Sequence, residues 1–439
     1  MPNDIPRRAS RAIRAVAFRS LLAAVGTAAL ARPTEAQLPS ASAASLGMGD
    51  NYTAIARGFA AVSWNPANLG LANNPDFSLS FLGARGTGDL GPVTLKDVSA
   101  YGGQNLPDAV RDEWMRRIDA GKGESGNIGA GLTYLALSVG NIGFQAATSV
   151  SGDANLAPGA IELALYGNAG RTGTARDVSL AGSHLTTAVT STFAFALALP
   201  FKTDLGTISF GATAKYIVGN ALLHGEDRGS VLGAAPTTVD VRFPVVVSDT
   251  SGGTAVGNHG RGLGLDLGAA YQGGALTASV AVQNVVNSFR WDAETFYYYP
   301  LQAFFNADTS YNVTRPQPLS SAPADVQAWV TSLRFHPTIA FGAALQTSKR
   351  LTLTAEMRQQ VGAGLALEER THMGIGAQLR VLPFIPFRAG AAYVTGGYLL
   401  TAGTGIELGA VNITASVQDR HTAHGRSPGA AVGISFGSR

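Results

Sequence analysis

The chain has 439 residues, of which 46% are hydrophobic and only 14% charged, with 54 glycines and no cysteine. The lack of cysteine excludes disulfides, thiolate metal sites and cysteine nucleophiles, and the apolar content excludes a disordered chain. The formal charge of +3 resides at the start: residues 1–36 hold six arginines against Asp4 and Glu35, leaving 26 basic and 27 acidic residues, a net of −1 that excludes nucleic acid as a partner.

The first element is an export signal over residues 1–36. An Arg-rich stretch precedes the apolar run LLAAVGTAALA (21–31), with small Thr34 and Ala36 just before Gln37. Eleven apolar residues are too few to cross about 30 Å of hydrocarbon as a helix, so cleavage and export are expected rather than anchoring. Next comes YTAIARGFAAV (52–62), small and helix-friendly, broken at SWNPANLGL (63–71). Asn65 is placed to cap the following turn, and Pro66 suits its first position because its missing N–H is not needed there.

From residue 77 onward the sequence alternates with period two in runs of roughly 9–13 residues, the length a tilted strand needs to cross a bilayer. The runs fall at 77–84, 129–139, 142–150, 188–200, 205–218, 261–272 and 275–284. Seven more follow at 333–345, 350–360, 371–381, 386–395, 398–409, 411–418 and 429–437. In TSTFAFALALPF (190–201), Phe193, Phe195, Leu197, Leu199 and Phe201 share one face, and Thr, Ala and Pro fill the other. In RLTLTAEMRQQ (350–360), Leu351, Leu353, Ala355 and Met357 oppose Thr352, Thr354, Glu356, Arg358 and Gln360.

A soluble sandwich also alternates, but it turns charge outward and bulk inward. A bulky apolar face opposite a small or polar one suits lipid outside and a crowded wet interior. Connections after even-numbered runs are short, while those after runs 1, 3, 5 and 7 are long (85–128, 151–187, 219–260 and 285–332), the asymmetry of a barrel with turns on one side and loops on the other. VTGGY (394–398) is the exception among the outer connections. No run of 18 apolar residues exists to make a transmembrane helix. The expected fold is all-β: a transmembrane antiparallel β-barrel of about 14 strands over 77–439, preceded by a separate segment at 37–76. The last run, GAAVGISF, ends on Phe436 and suits recognition by the outer-membrane assembly machinery.

Within this frame two groups of residues are candidates for binding. FRWDAETFYYYPLQAFF (289–305) carries Phe289, Trp291, Phe296, Tyr297, Tyr298, Tyr299, Phe304 and Phe305 on a predicted outer loop. They form either a capture groove for an apolar ligand or a packed core within the loop or girdle. The pleat also turns Lys215, Asp266, Glu356, Arg358, Arg380, Arg388 and Glu407 into the lumen. Arg358, Arg380 and Arg388 either receive a ligand carboxylate or form a salt-bridge ladder with Glu356 and Glu407.

Enzyme motifs are weak. GISFG (433–437) matches a nucleophile elbow but has no helix after it, and HTAH (421–424) lacks a third metal ligand. RDEWMRRIDAG (111–121) reads as a short amphipathic helix in the first long loop. No enzyme activity, cofactor or metal is expected.

SLGMGDNYTAIARGFAAVSWNPANLGLANNPDFSLSF (45–81) resembles the start of mature FadL-type outer-membrane fatty-acid transporters. GAIELALYGN (159–168), KYIVG (215–219) and GLGLDLGAAY (262–271) with VAVQNVVNSFRW resemble a less-characterised branch of the same superfamily. The resemblance implies that residues 37–76 form a hatch inside a fourteen-stranded barrel, with Trp64, Asn65, Pro66 and Ala67 at the corner that leads to the first strand. It also implies that the third and fourth outer loops supply a capture groove. The expected role is passive uptake of a hydrophobic, fatty-acid-like molecule through a bacterial outer membrane, with membrane lipid around the barrel. Related PorV-type barrels serve protein secretion, so an accessory barrel that binds a protein partner is the alternative.

Overall fold

The computed structural model describes residues 39–437 apart from 103, 168–169, 235–236, 250–256, 307–308, 314, 362–370 and 423–424. The export signal at 1–36 and its cut at Gln37 lie outside the described residues. Fourteen antiparallel strands close into a barrel. They are β1 (Phe77–Gly91), β2 (Glu124–Val139), β3 (Ile142–Leu156), β4 (His184–Thr203), β5 (Gly206–Glu226), β6 (Gly260–Gly273) and β7 (Leu276–Asn287). The second half is β8 (Thr338–Gln346), β9 (Leu351–Gln360), β10 (Thr371–Leu382), β11 (Ile385–Val394), β12 (Gly397–Leu408), β13 (Val411–Thr422) and β14 (Gly425–Gly437). Each pairs with the next, and β14 returns to β1 in the register Phe81↔Ile434 and Ala84↔Val432.

Two-sided selection explains the alternation. On β4, Leu199 is 58% exposed to the surroundings while Ala196 is fully enclosed. The same outward set continues around the wall through Phe210, Phe341, Met373, Ile375, Tyr393, Leu400, Ile413 and Val432, giving the continuous apolar belt of a membrane barrel. No helix among the described residues is long and apolar enough to cross a membrane; the strands cross it instead.

All fourteen expected strands form, but their ends move. β1, β4 and β5 run on to Gly91, His184 and Glu226, beyond the alternating stretches. Backbone pairing needs no lipid, so a ladder continues above the belt where alternation is no longer selected. The eighth strand starts at Thr338, not at residue 333. Leu333 and Phe335 alternate like a strand, yet both pack in a loop core, and Pro337 cannot donate to a ladder.

Connections after even strands are tight, as at Gly140-Asn141, Gly274-Ala275 and Gly409-Ala410. Most of those after odd strands carry structure, and β11–β12 is a two-residue turn at Thr395-Gly396. The first long loop holds helices Leu95–Ala100 and Asp108–Gly121, the second Pro158–Tyr166 and the fourth Ala324–Ser332. Trp114, Met115 and Ile118 are the buried face of Asp108–Gly121, as its sequence spacing predicts. Loop segments also build a small separate sheet over 178–179, 231–234, 237–242, 302–305 and 310–313.

Candidate functional site

The lumen is filled. Residues 39–76 run through it as short pieces: helices Ala43–Gly47 and Ala61–Trp64, and single-turn helices Gly58–Ala60 and Pro66–Gly70, joined by turns. The helix-friendly stretch therefore does not make one helix. So little regular structure strands backbone carbonyls, and each one buried without a donor costs about 1–3 kcal/mol.

The barrel wall supplies those donors. Gln145 Nε2 donates to Pro39 O at 2.6 Å, Ser416 Oγ to Ala43 O at 2.8 Å and Gln283 Nε2 to Ser63 O at 2.9 Å. Thr401 Oγ1 reaches Gly47 O at 3.2 Å and Thr213 Oγ1 reaches Val62 O at 3.3 Å. Satisfying an irregular plug is thus the reason the inner face is rich in Ser, Thr and Gln. Glycines set the plug's distance from the wall. A Cβ added at Gly211 would lie 2.8 Å from Ala67 Cα, and one at Gly376 or Gly390 would lie 2.6 Å from Met48 O.

The Asn-Pro corner is built as its residues suggest. Asn65 Oδ1 accepts the Ala67 N–H at 3.0 Å and caps the turn that Pro66 begins. Asn65 Nδ2 then reaches Ala269 O at 3.3 Å and Val280 O at 3.2 Å, tying the corner to β6 and β7. Trp64 is enclosed; its Nε1 donates to Ser40 Oγ at 2.9 Å, its ring meets Tyr52 edge-on, and the Arg358 guanidinium lies 5.3 Å from its centroid. Ala67 packs with Leu71 and Ala270. Replacing Pro66 by alanine frees the unfolded backbone at a cost of about 1 kcal/mol, so ion leak through the barrel in liposomes is expected to rise about fivefold. Unchanged permeability would contradict this role.

Adjoining the corner, through Asn68 Nδ2 donating to Thr53 O at 2.8 Å, lies a buried polar latch. Glu356 accepts the Thr53 N–H and the Thr53 hydroxyl, both at 2.8 Å, on its two carboxylate oxygens. Beside it, Arg85 pairs with Asp50 at 3.0 Å and His372 hydrogen-bonds Asn51 at 3.1 Å. Arg358 faces this group and the Trp64 ring together. These contacts make a charged hinge between residues 50–53 and β1, β9 and β10.

Three further layers flank the plug along the barrel axis. Toward the long loops, Lys215 Nζ lies 2.5 Å from Asp266 and donates to Asn284 Oδ1 at 2.6 Å, a buried pair whose partners are all satisfied. Above it is an apolar lid in which Phe289, Trp291, Phe296 and Tyr298 pack with Leu222, Val326 and Phe335. Toward the short turns the lumen opens into a vestibule of about 660 Å³ that includes Arg380, Arg388 and Glu407.

The eight aromatic residues of the fourth long loop therefore do not share one groove. Phe289, at 1% exposure, Trp291, Phe296 and Tyr298 are consumed in the lid core, with Phe289 ring centroids 5.2 Å from Trp291 and 5.0 Å from Phe335. Mutual burial of large rings is more stable than facing water. Tyr297, Tyr299 and Phe304 are half-buried, Phe304 stacks on Tyr311, and Phe305 is exposed. The three arginines separate as well. Arg358 belongs to the latch; Arg380 pairs with Glu407, and Arg388 Nη2 lies 3.9 Å from that same carboxylate, so these two follow the ladder pattern. His421 of HTAH stacks on Tyr398 and bonds Asp419 at 3.1 Å, while His424 lies outside the described residues. Ser435 of GISFG sits within β14, with no helix to form an elbow.

Sequence reading missed Asp50, Asn51, Thr53, Arg85 and His372. Thr53 and Glu356 are 303 positions apart, and no local spacing joins them. The glycines were a usable signal: Gly211, Gly376 and Gly390 fall on the lumen-facing register of their strands.

No protein-family model and no curated protein matches the sequence. Solved structures do match the fold. The toluene transporter TodX of P. putida is 13% identical, covers 90% of this chain and 97% of its own, and superposes with a TM-score of 0.51. A Pseudomonas aeruginosa FadL homologue is 12% identical over 92% of this chain and 99% of its own, TM-score 0.50. A TodX deltaS2S3 mutant, a monoaromatic hydrocarbon channel, is 13% identical over 92% of this chain and 100% of its own, TM-score 0.52. The chain has the fold of these FadL-type barrels.

Proposed function

We propose that this protein is an outer-membrane channel through which a hydrophobic small molecule diffuses inward, with residues 39–76 as the hatch whose displacement opens it. A cleaved signal at 1–36 brings it to that membrane, the short turns face the periplasm and the long loops face outward. The observation that carries the reading is the nature of the plug. None of its helices among the described residues exceeds five residues, and it is held by side-chain hydrogen bonds that water can replace together with the charged latch at residues 50–53. Net hydrogen bonds are worth only about 0.5–1.5 kcal/mol each, so a few can yield together without unfolding the barrel.

The exposed rings of Phe305 and Tyr311 on the outer loops, rather than the closed lid core, offer an apolar cargo its first contact before it reaches the hatch. Toluene and monoaromatic hydrocarbons are the cargo named for TodX and its deltaS2S3 mutant, one protein of the same fold, and this too supports hydrophobic uptake. Passage needs no cofactor, since the gradient and apolar burial supply the drive.

A second reading has one observation in its favour. Strand Ser310–Val313 is the outer edge of the loop sheet, with Tyr311 and Phe305 exposed beside it, and an open edge of this kind pairs with strands of other proteins. Native mass spectrometry of barrel extracted gently from membranes separates the two. Uptake predicts bound lipid-like or aromatic small molecules and no stoichiometric protein. A stoichiometric protein partner with no small molecule would overturn it.

A further inference from the structure

On the outside of the barrel, at the end that carries the long loops, two arginines stand directly opposite each other. Strand Arg290–Trp291 follows β7 and pairs with the start of β6 in the register Gly260↔Trp291 and Arg261↔Arg290. Alternation fixes their direction. Phe289 and Trp291 are buried in the lid core, so Arg290 between them is turned outward. On β6, Arg261 shares the outward face of Leu263 and Leu267, and both arginines are exposed. The backbone beneath them is closely packed: a Cβ added at Gly262 would lie 2.2 Å from Phe289 Cα, and one at Gly219 would lie 2.4 Å from the Trp291 ring.

The two cations sit where the apolar belt ends. Phe193, Tyr216 and Leu263 form one outward row in register across β4, β5 and β6, all three exposed. The next row toward the long loops is Ser191, Val218, Arg261 and Arg290. Directly opposed residues of an antiparallel pair have Cβ atoms about 5 Å apart, and like charges there destabilise the sheet. Among the described residues neither arginine is ion-paired with a carboxylate, whereas Arg228 of the outer loops has Asp325 at 2.8 Å and Arg426, outward on β14 at the same end, has Asp419 at 2.7 Å. Two like charges held together on a packed ladder, at the height of the lipid headgroups, call for an anion from outside the chain.

We propose that Arg261 and Arg290 bind a headgroup phosphate of an outer-leaflet glycolipid, whose acyl chains lie on Leu263, Val286 and the belt below. Guanidinium forks match phosphate oxygens in pairs, and two of them at cross-strand spacing converge on one phosphate. The belt supplies the other half of the recognition, because it seats lipid tails against the same face of the same strands. The site is independent of the cargo and shares with the uptake reading only the orientation that puts the long loops outside. Bound there, the lipid ties the strand that carries Trp291 of the lid to the membrane surface.

Native mass spectrometry of the full-length barrel in an uncharged maltoside tests it with three probes: bisphosphorylated lipid A, dephosphorylated lipid A and inorganic phosphate. Phosphorylated lipid A is expected to bind, and the dephosphorylated form to bind about tenfold more weakly or less. The double change Arg261→Gln/Arg290→Gln should weaken phosphorylated lipid A by about tenfold. Arg426→Gln, which removes the carboxylate-paired arginine at the same end, should leave it unchanged. All three positions are exposed, and heat-modifiable gel mobility confirms a folded barrel. Equal affinity for the two lipid forms, or no response to the double change, overturns the site. Inorganic phosphate displacing lipid A at equal concentration overturns the lipid as its occupant. Uptake of a neutral hydrophobic probe is measured separately: uptake without lipid A binding leaves the channel standing and removes the site, and binding without uptake does the reverse.

Discussion

Replacing Gly211 by leucine is expected to push the hatch off the wall and turn a sealed barrel into a conducting one. Gly211 lies on β5 with Pro66 and Ala67 directly over it, and an added Cβ would lie 2.8 Å from Ala67 Cα. The obstructing atoms are backbone, so no rotamer change relieves the clash. Overpacking of this kind costs about 1–3 kcal/mol, and the cost falls on the seated state alone, because a displaced hatch leaves Gly211 facing an open lumen. The displaced population then rises roughly 5- to 150-fold. Ion conductance in planar bilayers reads this directly. Gly86→Ala is the control, since its Cβ meets only Gly129 O at 3.9 Å. Conductance of Gly211→Leu no higher than the control would show that the corner does not seal the lumen.

The second large effect is expected at Glu356. Truncation to alanine strands the Thr53 N–H and hydroxyl and removes a buried carboxyl group facing Arg358 and His372. Breaking one side of such a buried charged cluster costs about 3–5 kcal/mol. The loss is local, because β9 keeps its ladders to β8 and β10. Amide exchange over residues 50–57 should therefore accelerate by two orders of magnitude or more, on the order of 3 kcal/mol of local opening, with strand amides unchanged. Glu356→Gln, which keeps one acceptor, should fall between. Protection at Thr53 that survives Glu356→Ala would place the latch elsewhere.

How much of this was legible in the sequence depends on which solvent did the selecting. Lipid selects every second residue, so Phe193 to Phe201 and Leu351 to Met357 announced their strands and faces. Beyond the belt that selection stops. The extension of β1 to Gly91 and the false start at Leu333 and Phe335 both follow from reading alternation where it no longer reports on lipid. The corner at Asn65 and Pro66 was legible because capping is local. The latch was not, since it joins residues from the hatch to β1, β9 and β10. Among the aromatic residues at 289–305, composition alone did not separate a groove from a core; only the partners Leu222, Val326 and Phe335, drawn from other segments, decide that four of them pack inward.

The central claim is that a movable hatch governs passage of a hydrophobic molecule. The most direct measurement is uptake of the neutral probe N-phenyl-1-naphthylamine by vesicles with a lipopolysaccharide outer leaflet. Three preparations are compared: empty vesicles, vesicles with the intact barrel, and vesicles with Gly211→Leu. Faster uptake with the intact barrel than with none, and faster again with Gly211→Leu, is the predicted result. Uptake equal in all three, with the barrels folded and inserted, would contradict it.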